Sequence, residues 1–100
     1  MTNLDFPIRG QILDTATELT VGDRNKQYGD PLVNLQDCAD LFNAYFGHNL
    51  RAPIRPQDVA IMMALVKIAR AKRPEPHRDN YVDAAAYLAI AGEIHERTHK

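Results

Sequence analysis

Apolar residues return at three- and four-residue intervals along most of the chain, in runs bounded by Pro, Gly and Asp, a pattern that predicts helices throughout. No alternation of useful length suggests a strand. Ile12, Ala16 and Leu19 share one side of a first helix over Ile8 to Thr20, which Val21-Gly22 ends. Asp30 is placed to cap a second helix, with Pro31 in its first turn. Its main apolar face carries Leu35, Cys38, Ala39, Phe42, Tyr45 and Phe46, and Gly47 terminates it. A connector containing Pro53 leads to a third helix opened by Pro56 and Asp58, which runs to about Arg73 before Pro74 and Pro76 stop it. The fourth starts at Asp79 and frays through His95 to Lys100. Short connectors between four helices imply an all-α antiparallel four-helix bundle, a single domain over residues 1–100.

The last two helices are apolar almost all the way round, from Val59 to Arg70 and from Asp79 to Gly92, yet each carries charge inside its apolar pattern. A helix apolar on every side is normally enclosed by neighbours, and an enclosed charge requires a compensating charge, metal or ligand. Lys67, Arg70 and Asp83 therefore need partners. Asp83 stands where an apolar residue is expected on the stripe continued by Tyr87, Ile90 and Ile94, and Asp79 lies one turn earlier. Two carboxylates at this spacing offer oxygens to a hard cation, and Mg²⁺ suits them because waters and substrate phosphates complete its shell. The competing reading makes Asp79 a helix cap and Asp83 the partner of Arg70 or Lys67 in a structural ion pair.

On the second helix Asp37 and Asp40 are neighbours on the side away from the main apolar face, among Val33, Leu41 and Ala44. Such a mixed side is either solvated surface or a face packed on another helix or subunit, where the carboxylates would join a metal site in the bundle interior. Lys67 and Arg70, three residues apart, are able to meet one phosphate; alternatively their stems cover apolar surface while their heads reach water. The loop between Gly22 and Gly29 offers Arg24, Lys26 and Tyr28, two cations and a ring of the kind that clamps phosphates and stacks on a base. An ordinary polar turn has the same composition. It lacks the glycine pattern of a P-loop.

Composition narrows the choice. Apolar residues are 45% and charged residues 25% of the chain, the balance of a folded globular domain, and a net charge of -1 without like-charge runs gives no footprint for duplex nucleic acid. No segment reads as a signal peptide or a membrane span. With one cysteine, Cys38, placed on the core-facing side, the chain has no disulfide framework and reads as cytoplasmic, in a host cell if phage-encoded. Serine is absent, and His77, His95 and His99 lack a zinc-binding spacing.

Arg24-Asn-Lys-Gln-Tyr-Gly-Asp-Pro31, then Asn34 and Asp37, then Leu65-Val-Lys-Ile-Ala-Arg70, and Asp79-Asn-Tyr-Val-Asp-Ala-Ala-Ala-Tyr87 form a series of short motifs between Ile12 and Ile94. In this series the chain resembles the all-α nucleoside triphosphate pyrophosphohydrolases of the MazG and dUTPase-like superfamily, particularly small phage and prophage MazG-like proteins. The resemblance implies acidic residues on two helices holding Mg²⁺ against a triphosphate while water attacks the α-phosphorus, releasing pyrophosphate and a nucleoside monophosphate. Asp83 matches the aspartate of the superfamily's Glu-x-x-Asp motif, whereas Asn80 occupies the glutamate position. Asp37 and Asp40 would stand for its Glu-Glu-x-x-Glu cluster.

The leading expectation is a Mg²⁺-dependent nucleotide-binding protein with the activity of such a pyrophosphohydrolase. Asp37, Asp40, Asp79 and Asp83 would hold the metal, and Arg24, Lys26, Tyr28, Asn34, Lys67 and Arg70 would bind the nucleotide. A reduced carboxylate set beside retained cations also fits a non-catalytic phage protein that sequesters a nucleotide, such as a cyclic signalling nucleotide. A structural assembly protein with interfacial ion pairs is the third reading. Apolar residues on both sides of the second helix favour a homodimer or homotetramer.

Overall fold

The computed structural model describes residues 5–22, 29–75 and 77–99. Within them the chain forms four α-helices and no strand: α1 (Ile8–Val21), α2 (Pro31–Phe46), α3 (Pro56–Ala71) and α4 (Arg78–Thr98). A 3₁₀ turn, Gly47–Asn49, follows α2. The expected boundaries hold within a few residues, for visible reasons. Asp30 caps α2 by accepting from the Leu32 N–H at 3.0 Å, and Pro31 follows it. At the end of α1 the Gly22 N–H donates to the Glu18 carbonyl, and a Cβ on Gly22 would lie 2.5 Å from that oxygen. Only glycine fits so close an approach. Asp58 accepts from the Arg55 backbone N–H at 2.9 Å and from the Arg55 guanidinium, closing the first turn of α3.

Packing follows the row α1, α4, α3, α2: α4 lies against both α1 and α3, and α2 packs on α3. The α3–α4 pair is the most extensive. Small side chains are prominent among the buried residues of the two helices, Ala60, Ala64 and Ala91 alongside Val59 and Ile94. Ala16, Val82 and Ala86 form the cluster that joins α1 to α4, with Ile12, Leu19 and Ala85 against it. The radius of gyration is 15.1 Å, against about 13 Å for a closely packed domain of this length. An extended row leaves helix faces uncovered.

Three side-chain clamps set where helix ends meet. Gln11 Nε2 donates to the Phe6 carbonyl while Arg78 Nη1 donates to Gln11 Oε1 at 3.1 Å, tying the starts of α1 and α4. Asn43 exchanges two hydrogen bonds with the backbone of Ile54, at 2.7 and 2.9 Å, fixing the connector before α3 to the flank of α2. Arg97 makes a bidentate contact with Asp30, both bonds 3.1 Å, so the end of α4 holds the cap of α2.

That last contact corrects an expectation. Where the sequence suggested a frayed end from His95, α4 is helical to Thr98, whose hydroxyl donates to the Ile94 carbonyl, and the His99 ring lies against the His95 carbonyl. Asp79 is likewise not a cap, because α4 begins at Arg78 with His77 in the cap position, leaving Asp79 in the first turn. Cys38 is exposed rather than core-facing. It lies one residue, about 100° of helix rotation, from Ala39, the α2 residue buried completely. Nor is α3 enclosed within one chain, since α4 and α2 leave Ile61, Leu65, Val66 and Ile68 exposed.

The clamps carry a pH dependence. Arg97, and then the Leu32 N–H, hold the Asp30 carboxyl below its ordinary value of 3.8, and Arg55 does the same for Asp58. A carboxyl depressed in the folded state stabilises the fold above its unfolded pKa, and that contribution disappears as pH falls through the folded value. The urea midpoint is therefore expected to drop between about pH 5 and pH 3, with a shallower drop in Asp30→Asn. An unchanged midpoint across that interval would leave these pairs without a stabilising role.

Candidate functional site

The Lys67 and Asp83 side chains meet where α3 lies against α4, with Nζ and Oδ2 3.1 Å apart. Helical spacing brings them there. Val82 and Ala86 turn α4's buried side inward, and Asp83, next to Val82, falls at the border of that side; its side chain is 32% exposed and that of Lys67 16%. A pair this sheltered is held more firmly than one on the open surface, and one partner without the other would leave a poorly solvated charge.

Two chambers open on either side of this pair, and both are lined by it. The larger, about 510 Å³, gathers cations from the end of α3, Arg70 and Arg73 with Lys67, against Asp79, Asn80 and Asp83 of α4. Glu75 and His77 of the connector close its side. Arg70, Arg73 and Asp79 are exposed residues that line the chamber. The smaller, about 180 Å³, is a slot lined by Leu19 and Thr20 of α1 and by Ala86, Tyr87 and Ile90 of α4. Tyr87 is the one aromatic ring among the described residues that line it.

Of the residues singled out from sequence, Lys67, Arg70, Asp79 and Asp83 come together in the larger chamber. Asp37 does not join them. It lines a separate, mostly apolar recess of about 560 Å³, with Leu32, Val33, Pro56, Gln57 and His99. Asp40 is exposed and accepts from Gln36 Nε2 at 3.0 Å on its own helix. Asn34 is exposed on α2. Within a single chain α2 packs mainly on α3 and meets α4 near its end, where Arg97 holds Asp30, so its carboxylates lie away from Asp79 and Asp83 at the start of α4. Arg24, Lys26 and Tyr28 lie outside the described residues.

The donor set sets limits on a metal. Among the described residues no three His, Cys, Asp or Glu side chains gather to hold an ion. Asp79 and Asp83, one helical turn apart, suit Mg²⁺ that takes its other oxygens from phosphates and water, and do not make a cage of protein ligands alone. Arg73 was given no role from sequence, His77 was weighed only as a zinc ligand and set aside, and Asn80 entered only as the residue at the glutamate position of the Glu-x-x-Asp motif. Arg73 lay in an ordinary basic stretch before two prolines, and His77 in a connector; the spacing of Asn80, three residues before Asp83, was the one signal available.

No helix among the described residues is long and apolar enough to cross a membrane. The family described as "Domain of unknown function (DUF6378)" matches residues 11–95. The chain is 44% identical over 85 residues to the Gene 55 protein of Mycobacterium phage D29, covering 85% of this chain and 54% of that protein. To the Gene 55 protein of Mycobacterium phage L5 it is 40% identical over 79 residues, 79% of this chain and 49% of that one. The chain thus spans about half the length of the curated relatives it matches, and both are phage proteins, in keeping with the phage affiliation expected. No solved structure matches it.

Proposed function

Starting from a chain that belongs to the DUF6378 family, we propose that the chamber beside the Lys67–Asp83 pair binds the phosphates of a nucleotide, with Mg²⁺ bridging them to Asp79 and Asp83. The observation that carries this reading is the convergence of Lys67, Arg70 and Arg73 on one recess that also holds three carboxylates, Glu75 and, one turn apart, Asp79 and Asp83. Cations neutralise phosphate oxygens, and guanidinium groups do so with paired donors. The carboxylates would repel a bare phosphate but attract one that carries Mg²⁺.

Cleavage of the α,β bond of a nucleoside triphosphate, the reaction of the MazG-like enzymes that the chain resembles, needs more than binding. Mg²⁺ would supply the charge stabilisation for an attacking water. Asp79 and Asp83 would hold it, and Lys67 would orient Asp83. The dispersed position of Asp37 and Asp40 favours a second reading, a binder that holds a nucleotide intact. In either case the exposed apolar side chains, Leu41 at 71% and Tyr45 at 75% on α2 with Leu65 at 57% on α3, support a homodimer or homotetramer. Mass in solution tests that assembly.

A thermal-shift panel of nucleoside mono-, di- and triphosphates, with and without Mg²⁺, tests the binding. Stabilisation should grow with ligand concentration and require Mg²⁺ for the di- and triphosphates. Chromatography of the incubated mixture then separates the two readings: monophosphate with pyrophosphate means an enzyme, and recovered intact ligand means a binder. No shift with any phosphorylated ligand defeats the proposal.

A further inference from the structure

At the other end of α4 from the phosphate chamber, the starts of α2 and α3 and the last turn of α4 frame a recess of about 560 Å³, lined mostly by apolar groups that include Leu32, Val33 and Pro56. Its size is that of a small-molecule site, about 300–1,000 Å³. What marks it is Gln57. Only 5% of this residue is exposed, and its side-chain amide makes no hydrogen bond among the described residues. No polar side-chain atom among them is at once sealed from solvent and unpartnered, so the amide keeps an opening, and the recess is the cavity that Gln57 lines. We infer that the recess is a second ligand site, which takes an amphipathic cation: an apolar body that carries an ammonium or guanidinium head.

A buried amide without a partner costs stability, and a ligand that supplies the missing bond recovers that cost on binding. The neighbouring polar groups are already engaged. Gln36 donates to Asp40, the Thr98 hydroxyl donates to the Ile94 carbonyl, and the His99 ring lies against the His95 carbonyl. Charge sets the sign of the ligand. Arg55, the one Lys or Arg among the described lining residues, is held by Asp58 through two hydrogen bonds of 3.0 and 2.9 Å. Asp58 also stands in the first turn of α3, where it offsets the positive end of that helix. Asp37 has no partner among the described residues and is exposed at the recess, with Asp40 nearly one turn further along α2. An acidic ligand would meet an unpaired carboxylate and no unspent guanidinium, whereas a cation meets the complementary charge. Such a head and body belong equally to a free organic amine and to a lysine or arginine beside an apolar residue in a protein segment.

NMR titration of the isotope-labelled full chain tests this with two pairs of probes: phenethylamine against hydrocinnamate, and acetyl-Phe-Lys-amide against acetyl-Phe-Glu-amide. The better cationic probe should bind about fivefold tighter than its acidic counterpart, with shifts at the backbone amides of Leu32, Val33, Gln57 and His99. Asp37→Asn should remove that preference. Gln57→Leu should weaken the same probe about fivefold while the melting temperature holds or rises, because leucine leaves no amide to satisfy. Which cationic probe binds more tightly identifies the source, a free amine or a protein segment. Equal binding of acid and base, or no shift at these amides with any probe, overturns the proposal. So does a lower melting temperature in Gln57→Leu with unchanged binding, since the amide would then serve the fold alone. If Gln57→Leu fails to fold, the charge preference and its loss in Asp37→Asn decide the matter.

Discussion

Asp83→Asn is expected to weaken Mg²⁺-dependent nucleotide binding by about tenfold or more, a loss of about 1.4 kcal/mol at the least. Asparagine keeps the shape and removes the charge, so the metal loses an anionic ligand while Lys67 loses its partner at 3.1 Å. The two losses act in opposite directions on two kinds of ligand. A nucleotide carrying Mg²⁺ loses its attachment. A bare anion such as inorganic phosphate finds Lys67 released from its ion pair and should bind no worse, or better. Helix content should stay intact, with a stability cost of about 1–2 kcal/mol from the sheltered ammonium left unpaired. Calorimetry with and without Mg²⁺ reads both signs, and equal Mg²⁺-dependent binding by Asp83→Asn and wild type would remove Asp83 from the metal.

The largest stability effect is expected at Ile94. Its side chain is fully buried on α4, one of the largest side chains so enclosed, in a core otherwise built mainly from alanine and valine. Few neighbours there are long enough to move into a void, so Ile94→Ala should cost about 3 kcal/mol and lower the melting temperature by roughly 15 °C. Leu88, on the same helix and 51% exposed, is the control: Leu88→Ala should cost well under half as much. Scanning calorimetry at one protein concentration compares the two. Similar melting points would mean that Ile94 lies outside the cooperative core.

Much of the helical plan was legible because helix ends are written in local chemistry. Asp30 before Pro31, Gly22 after Val21, and Pro56 with Asp58 in its first turn act within a few residues of themselves. Asp83 was legible too, as a charge interrupting an apolar stripe, and it does lie beside Lys67. Cys38 was misplaced because the apolar face of α2 is wider than its contact with α3; periodicity defines a face, not which strip of it is used. The end of α4 was misjudged because the bond that steadies it, Arg97 to Asp30, joins residues 67 positions apart.

By itself, the order of residues determined that this chain is helical, where its first three helices begin and end to within a few residues, and that Asp83 and Lys67 stand at odds with their apolar surroundings, since each follows from interactions reaching no further than a turn or two. The tertiary structure decided which charges meet. Packing in the row α1, α4, α3, α2 brings Arg70, Arg73, Asp79 and Asp83 around one recess and adds Leu19 from α1 to the slot beside it. It also sends Asp37 and Asp40 elsewhere, because the start of α2 meets the far end of α4, at Arg97 and beside His99, several turns from Asp79 and Asp83.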